Sequence, residues 1–260
     1  MIDEFRALHT GSVLVLPNAW DVASARLIER AGAKAVATTS AGVAWSLGAP
    51  DGDQLTRDRA VDLVARVVAG ARVPVTADIE SGFGATAAEV GDTVRAVADA
   101  GAAGVNIEDG VYPGLRDLAE QTERIAAARA AAALFVNARI DTYLFGVGEE
   151  AGRLAETVAR ARAYLDAGAD GVFVPGVADP EIIAALVSQI PAPLNVLVGP
   201  GSPPVAELAG LGVARVSAGS SIALAAYSLA TRCAEEMLTG GTYHAQAADL
   251  AFGEVNALLA

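Results

Sequence analysis

The sequence predicts an α/β fold, a single (β/α)8 TIM barrel spanning residues 1–260. Three observations predict it. Eight short β-branched runs recur along the chain, helical patterns alternate with them, and polar residues gather where the runs end.

The eight runs are "SVLVLP" (Ser12 to Pro17), "AVATTS" (Ala35 to Ser40), "VPVTADI" (Val73 to Ile79), "GVNIED" (Gly104 to Asp109), "LFVNARI" (Leu134 to Ile140), "GVFVPG" (Gly171 to Gly176), "LNVLVG" (Leu194 to Gly199) and "RVSAGS" (Arg215 to Ser220). Each is apolar on both alternations, as a strand buried on both faces should be. Between them lie amphipathic helices. "DVASARLIERAGA" places Val22, Ala25, Leu27 and Ile28 on one stripe, and Val90, Val94 and Val97 form another in "EVGDTVRAVADAGA". "AETVARARAYLDAGA" repeats the pattern with Val158 and Leu165. Gly32, Gly101 and Gly168 follow these helices, where a residue with φ > 0 ends a helix at little cost. Repeated strand, helix, glycine, strand implies parallel strands with right-handed crossovers. A doubly wound sheet would carry a glycine-rich phosphate turn after its first strand, and "PNAWD" is not one. The longest connection, "AGVAWSLGAPDGDQLTRD" after the second strand, reads as a functional loop.

Composition excludes some functions. The formal net charge is −13, so the chain offers no bulk basic face for nucleic acid or for an anionic membrane surface. No run of about 18 apolar residues exists, so no membrane span is expected. The N-terminus lacks the basic-then-apolar layout of a signal peptide, and Cys233 has no partner for a disulfide; both point to the cytoplasm. Cys233 reads as a core cysteine of the run "SLATRCAEEML". The only lysine, Lys34, precedes the second strand, at the wrong face for Schiff-base chemistry. His9 and His244 fall at no strand end, which argues against histidine-ligated zinc.

In such a barrel the chemistry sits at the C-terminal ends of the strands. Asp78 and Glu80 end the third strand, Glu108 and Asp109 the fourth, and Arg139 and Asp141 the fifth. Asp78, Glu80, Glu108 and Asp141 would converge on one mouth. Packed carboxylates repel one another, and Arg139 alone is too little compensation. An all-oxygen set of this kind suits Mg²⁺, or Mn²⁺, held largely through waters. The alternative is that these acids cap helices or pair with arginines. The "GPGSPP" and "SAGSS" turns fit either a phosphate cradle or tight packing.

In "LPNAWDVASARLIERAGAKAVATTSAGVAWSLGAPDGD", "VPVTADIESGFG", "GVNIEDG" and "NARIDTYLFG", the chain resembles the isocitrate lyase/phosphoenolpyruvate mutase superfamily, in particular its small phosphonomutase-like branch. The resemblance implies that Asp78 binds Mg²⁺ directly and that Glu80 and Glu108 act through its waters. Asp51 matches the family's loop aspartate. Ser40, Ala41 and Gly42 match the turn that holds the substrate's carboxylate and oxo group, and Arg139 the residue holding its distal anionic group. It also implies a homo-oligomer, dimer or tetramer, whose C-terminal helices pack on or swap with a neighbour; "SIALAAYSLATRCAEEML" is apolar over a wide face.

The departures bear on the reaction. The lysine-lysine-cysteine-glycine-histidine loop of the family's isocitrate lyases is replaced by "EDGVYPGLRDLAEQ", and their tyrosine by Thr38. Pro175 occupies the place of a mutase histidine. The residues that remain support cleavage of a C–C bond in a small 2-oxo dicarboxylate through a metal-stabilised enolate, as in decarboxylation of oxaloacetate. Asp51, Glu108 and Arg139 would be catalytic. The alternatives are P–C cleavage or mutation of a phosphonopyruvate-type substrate, and a protein that binds a 2-oxo acid without turnover.

Overall fold

The computed structural model describes residues 1–260. Eight parallel strands close into a ring: β1 (Leu14–Leu16, continued by Asn18–Ala19), β2 (Val36–Thr38), β3 (Val75–Asp78), β4 (Gly104–Glu108), β5 (Phe135–Arg139), β6 (Gly171–Val174), β7 (Leu194–Leu197) and β8 (Arg215–Ser217). The strands follow chain order around the barrel, so β3, β4 and β5 are neighbours. β1 differs from its expected form because Pro17 interrupts it. Its first half pairs with β8, Leu14 opposite Arg215, and its second half pairs with β2, Asn18 opposite Ala37. Proline has no N–H for the ladder, so the strand changes neighbours there. No helix is long and apolar enough to cross a membrane.

Alternation sorts the side chains. Val105, Ile107, Val136, Ala138, Val172 and Val174 face outward into the main apolar core, under the surrounding helices. The helices include α2 (Val22–Arg30), α5 (Ala87–Asp99), α6 (Leu118–Ala131) and α7 (Glu150–Asp166). Gly32, Gly101 and Gly168 follow α2, α5 and α7 with φ of 103°, 92° and 107°, the left-handed values expected of them. The barrel floor is closed by the N-terminal helix α1 (Ile2–Ala7). Phe5 and His9 pack on Phe135, with the His9 and Phe135 rings stacked 4.1 Å apart.

The long connection after β2 folds into two helices, α3 (Ser40–Ser46) and α4 (Arg57–Gly70). "AVATTS" therefore stops being strand at Thr38, and Ser40 opens the first of these helices. A small hairpin follows β4, Gly110–Val111 paired with Gly114–Leu115.

The last long helix, Ser221–Glu235, does not cover the barrel as the other helices do. Only Ala223 of it is buried, while Leu224, Tyr227 and Leu229 are exposed. The outer face of β1 is left bare, with Val15 46% exposed. Cys233 is not a core residue, contrary to expectation. It is half-buried on this projecting helix, its Sγ 3.2 Å from the Ala245 carbonyl.

Candidate active site

Asp78 closes β3, and Glu80 follows it at the start of a sharp turn. Asp78 donates its backbone N–H to Thr38 Oγ1 (2.9 Å), which locks β3 to β2. Its carboxylate accepts from the Glu80 N–H (3.2 Å) and from Ser40 Oγ (3.4 Å). Beyond it the chain turns sharply. Glu80 and Phe83 both have φ of 51° and Gly82 has 102°. Two non-glycine residues in the left-handed region store strain that the surroundings must hold. Arg124 of α6, fully buried, does so. Its guanidinium donates to the carbonyls of Ser81 (3.3 Å), Gly84 (3.0 Å) and Ala85 (2.8 Å). Glu80 turns its carboxylate to the loop after β2, where Oε2 accepts the Asp53 N–H. The same loop carries Asp51, so Glu80 ties that aspartate's segment to the end of β3.

Asp51, Asp78 and Arg139 line one cleft at the barrel mouth, together with Ser40, Ala41 and Asn106. Glu108 lines an adjoining cleft that shares Asp51 and Arg139 and lies against the hairpin. Of the "SAG" turn, Gly42 does not line the cleft. A Cβ there would lie 2.8 Å from Trp20 Cβ and from Thr39 Cγ2, so this glycine serves close packing.

Arg139 is held on both sides. Nη1 lies 2.6 Å from Glu108 Oε2 and Nε 2.7 Å from Asp141 Oδ1. Asp141 is fully buried. Its N–H donates to Asp109 Oδ1 (2.9 Å), and Asp109 also accepts from Tyr164 Oη (2.8 Å) and Arg160 Nη1 (3.3 Å). Asp109 and Asp141 thus build the frame around Arg139, the pairing alternative for strand-end acids. Gly110 is part of it, since a Cβ would strike Asp141 Oδ2 and come within 2.8 Å of the Phe145 ring.

The electrostatics follow from burial. Burial pushes Asp78 above its ordinary value, opposed by Arg139 and reinforced by Asp51. Burial raises Glu108 well above the usual carboxylate range, against the pull of Arg139 and with Asp78 and Asp141 adding repulsion. Glu80 is pushed up to about 7, mainly by burial. Burial works against the charge on Arg139, but Glu108, Asp141 and Asp78 together hold it charged.

No three acids converge on one point. Mg²⁺ keeps most of its waters and takes one or two carboxylates, and Asp78 and Asp51 line the cleft. The all-oxygen donors and their surplus negative charge fit such an ion.

Three amides of the turns that could cradle a phosphate are instead bonded within the protein. Asn18 Oδ1 accepts the Ala218 N–H (2.8 Å) and Gly219 N–H (2.9 Å), and Ser202 Oγ accepts the Gly199 N–H (3.0 Å). Lys34 lies away from the mouth, beside Leu14 and Ile222. His9 is on the floor. Neither cleft is lined by a cysteine, histidine or lysine.

Residues 5–238 match the family model described as phosphoenolpyruvate phosphomutase. The chain belongs to the phosphoenolpyruvate mutase/isocitrate lyase superfamily. It is 43% identical over 213 residues to an uncharacterised protein of Mycobacterium tuberculosis, covering 82% of this chain and 80% of that one. It is 32% identical over 248 residues to an oxaloacetate decarboxylase of Pseudomonas aeruginosa, covering 91% and 82%. A solved structure from Burkholderia cenocepacia, described only at the level of lyase or mutase, superposes with a TM-score of 0.91 at 42% identity, covering 98% of this chain and 95% of that one. Phosphonopyruvate hydrolase in complex with oxalate and Mg²⁺ superposes at 0.85 with 27% identity, covering 98% and 93%. These superfamily members share the parallel α/β barrel.

Arg124, Asn106 and Arg215 were not singled out from the sequence. Arg124 sits in a helix of ordinary composition, and only the fold brings it under the β3 turn. Asn106 and Arg215 carried a signal, since a polar residue within an apolar strand run is out of place.

Proposed function

We propose that this superfamily member is a Mg²⁺-dependent lyase that cleaves a C–C bond of a small 2-oxo dicarboxylate, as an oxaloacetate decarboxylase does. The observation that carries this reading is the content of the mouth. Arg139 is fixed beside Asp78, and no cysteine, histidine or lysine lines either cleft. A reaction that needs a dedicated protein acid at the leaving group is poorly served there. Loss of the distal carboxylate as CO₂, β to the oxo group, needs none at the bond that breaks, because the electron pair passes to the enolate oxygen.

Asp78 is the direct ligand in this reading, with Glu80 and Glu108 acting through the ion's waters. Mg²⁺ there would supply Lewis acidity to the oxo and carboxylate oxygens of the substrate. Ser40 Oγ and the Ser40 and Ala41 amides orient the near carboxylate, while Gly42 supports the turn from behind. Arg139 holds the distal one, kept in place by Glu108 and Asp141. Asp51, on the loop tied down by Glu80, closes the cleft against water and serves as the proton-handling group with Glu108.

The likeness to phosphonopyruvate hydrolase supports a second reading, P–C cleavage; the hairpin cleft is lined by Arg116 as well as Arg139, with Arg116 paired to Glu120. Binding without turnover is the third outcome. The exposed face of Ser221–Glu235 beside the bare β1 supports an oligomer in which this helix packs on or swaps with a second copy.

A one-pot NMR assay tests the reading. Protein and Mg²⁺ are incubated with oxaloacetate, methylated oxaloacetates, 2-methylisocitrate, 4-hydroxy-2-oxoglutarate and phosphonopyruvate, with EDTA and Asp78→Ala controls. EDTA-sensitive release of pyruvate or a homologue from a carbon substrate supports the lyase. Turnover of phosphonopyruvate alone moves the second reading ahead. Turnover that survives Asp78→Ala removes the metal role.

A further inference from the structure

The inside of a (β/α)8 barrel is ordinarily filled by layers of branched apolar side chains. Here one layer is polar. Thr76, Asn106, Asn137, Asn195 and Arg215 all face inward and are at most 3% exposed. Arg215, on β8, is the costliest of them. It touches no carboxylate, and its Nε and Nη1 have no partner in the protein. Its one hydrogen bond runs from Nη2 to Asn106 Oδ1 (3.3 Å). Asn137 Nδ2 donates to the same oxygen (2.9 Å).

That pair of contacts decides the orientation of a side chain in the cleft. A guanidinium can only donate, so the Asn106 atom facing Arg215 must be the amide oxygen. With its oxygen turned down into the barrel and occupied by two donors, Asn106 must turn its Nδ2 the other way. Asn106 lines the mouth beside Asp78, Ser40 and Arg139. No protein group accepts from its Nδ2, while everything fixing the amide lies on the far side.

We propose that Asn106 is a substrate-binding residue. Its Nδ2 donates to an anionic oxygen of the 2-oxo acid, and Arg215 and Asn137 are positioning residues that keep the amide from flipping. The inference rests on the 2-oxo acid reading above and adds a neutral donor to its cations. The ligand class is a 2-oxo carboxylate, whose oxo oxygen takes up the enolate's negative charge when the bond two carbons along breaks. A prearranged donor costs no reorganisation at that moment. The polar layer follows: without Arg215 and Asn137 below, the amide could present its oxygen to the ligand and repel it.

Oxalate in saturating Mg²⁺ is the probe. Binding is measured by calorimetry for the wild type, Asn106→Asp and Arg215→Met, with thermal unfolding of each. In parallel, the Asn106 side-chain NH₂ resonances of the wild type, assigned through bonds, are followed during the titration. The expected result is a large shift of that NH₂ pair on oxalate binding and affinity about tenfold or more weaker in Asn106→Asp. Asn106→Asp keeps or raises its unfolding temperature, because Arg215 gains a carboxylate. Arg215→Met, with one of the two locks removed, binds several-fold more weakly. The NH₂ shift separates direct contact from charge repulsion in Asn106→Asp and does not depend on any variant folding. Oxalate binding in the wild type with the Asn106 NH₂ pair unmoved would overturn the inference and leave the functional reading standing. No binding of oxalate by the wild type would overturn the functional reading, and this inference with it.

Discussion

Arg139 Nη1 stands 2.6 Å from Glu108 Oε2, across the paired ends of β5 and β4. Both side chains are largely buried, and the second edge of the guanidinium is held by Asp141. Removing one member of a buried ion pair leaves the other charge uncompensated, typically at about 3–5 kcal/mol. Arg139→Ala is therefore expected to lose stability on that scale, besides turnover. Glu108→Gln keeps the shape and should lose far less. Chemical denaturation of both variants checks the order, and a cost for Glu108→Gln equal to that of Arg139→Ala would contradict it.

Asp78 is buried and raised above its ordinary value of 3.8, chiefly by burial. The folded state thus holds this proton more tightly than the unfolded one. The group takes stability away as pH rises from its unfolded value through its folded one. Without Mg²⁺ at neutral pH, Asp78→Asn should melt at a higher temperature than the wild type. Added Mg²⁺ should raise the melting temperature of the wild type and leave the variant unmoved. Equal Mg²⁺ stabilisation of the two proteins would remove Asp78 as the ligand.

Arg124 donates to three carbonyls of the strained Ser81–Ala85 turn. Arg124→Leu leaves those acceptors without donors and should cost about 2–4 kcal/mol. The turn sets the positions of Asp78 and Glu80, so Mg²⁺ affinity should fall as well. Calorimetric Mg²⁺ titration of the folded variant measures this. Unchanged affinity would show that the turn keeps its shape without the arginine.

His9 on the barrel floor is lowered from 6.5 to about 4, first by burial and then by Arg215. A group lowered in the folded state gives its full stability above the unfolded value, here 6.5. That contribution is lost as pH falls towards 4. His9→Phe has nothing to titrate there. Relative to the wild type, the variant should gain roughly 2–3 kcal/mol between pH 7.5 and 4.5. Denaturation curves at the two pH values measure it, and a constant difference would mean that His9 is not held neutral.

The legible part of the fold is the part written in local pattern. Val105, Ile107, Val136 and Ala138 announce strands because they fall in short, largely apolar runs bounded by turn residues. Gly32, Gly101 and Gly168 announce helix ends because only a residue tolerant of positive φ is cheap there. Asp78, Glu108 and Arg139 were legible as mouth residues because a charge at the end of an apolar run has few other reasons to be there, whereas Asp51, on the loop after β2, was reached only through the family resemblance. Asp109 and Asp141 looked the same in sequence. The structure gives Asp109 to Arg160 and Tyr164, which approach from α7, and Asp141 to Arg139 two residues before it on the same strand end.

Cys233 shows the opposite failure. Its apolar helical neighbourhood reads as core, yet the helix Ser221–Glu235 projects from the barrel and leaves that face open. Helical periodicity says that a stripe will be covered, not by what.

By itself, the sequence determined the eight strands, their parallel order and the mouth at which the acids collect. Those follow from period, glycine placement and the rule that connections are short and right-handed. Only the tertiary structure decided which acids are scaffold and which face the cleft. It alone set Glu80 against the Asp53 amide, Arg124 under the β3 turn and Arg215 beneath Asn106. Each of these pairs joins residues far apart in the chain. The physical reason is that hydrogen-bond partners of buried charges are chosen by distance in space, on which local sequence pattern carries no information.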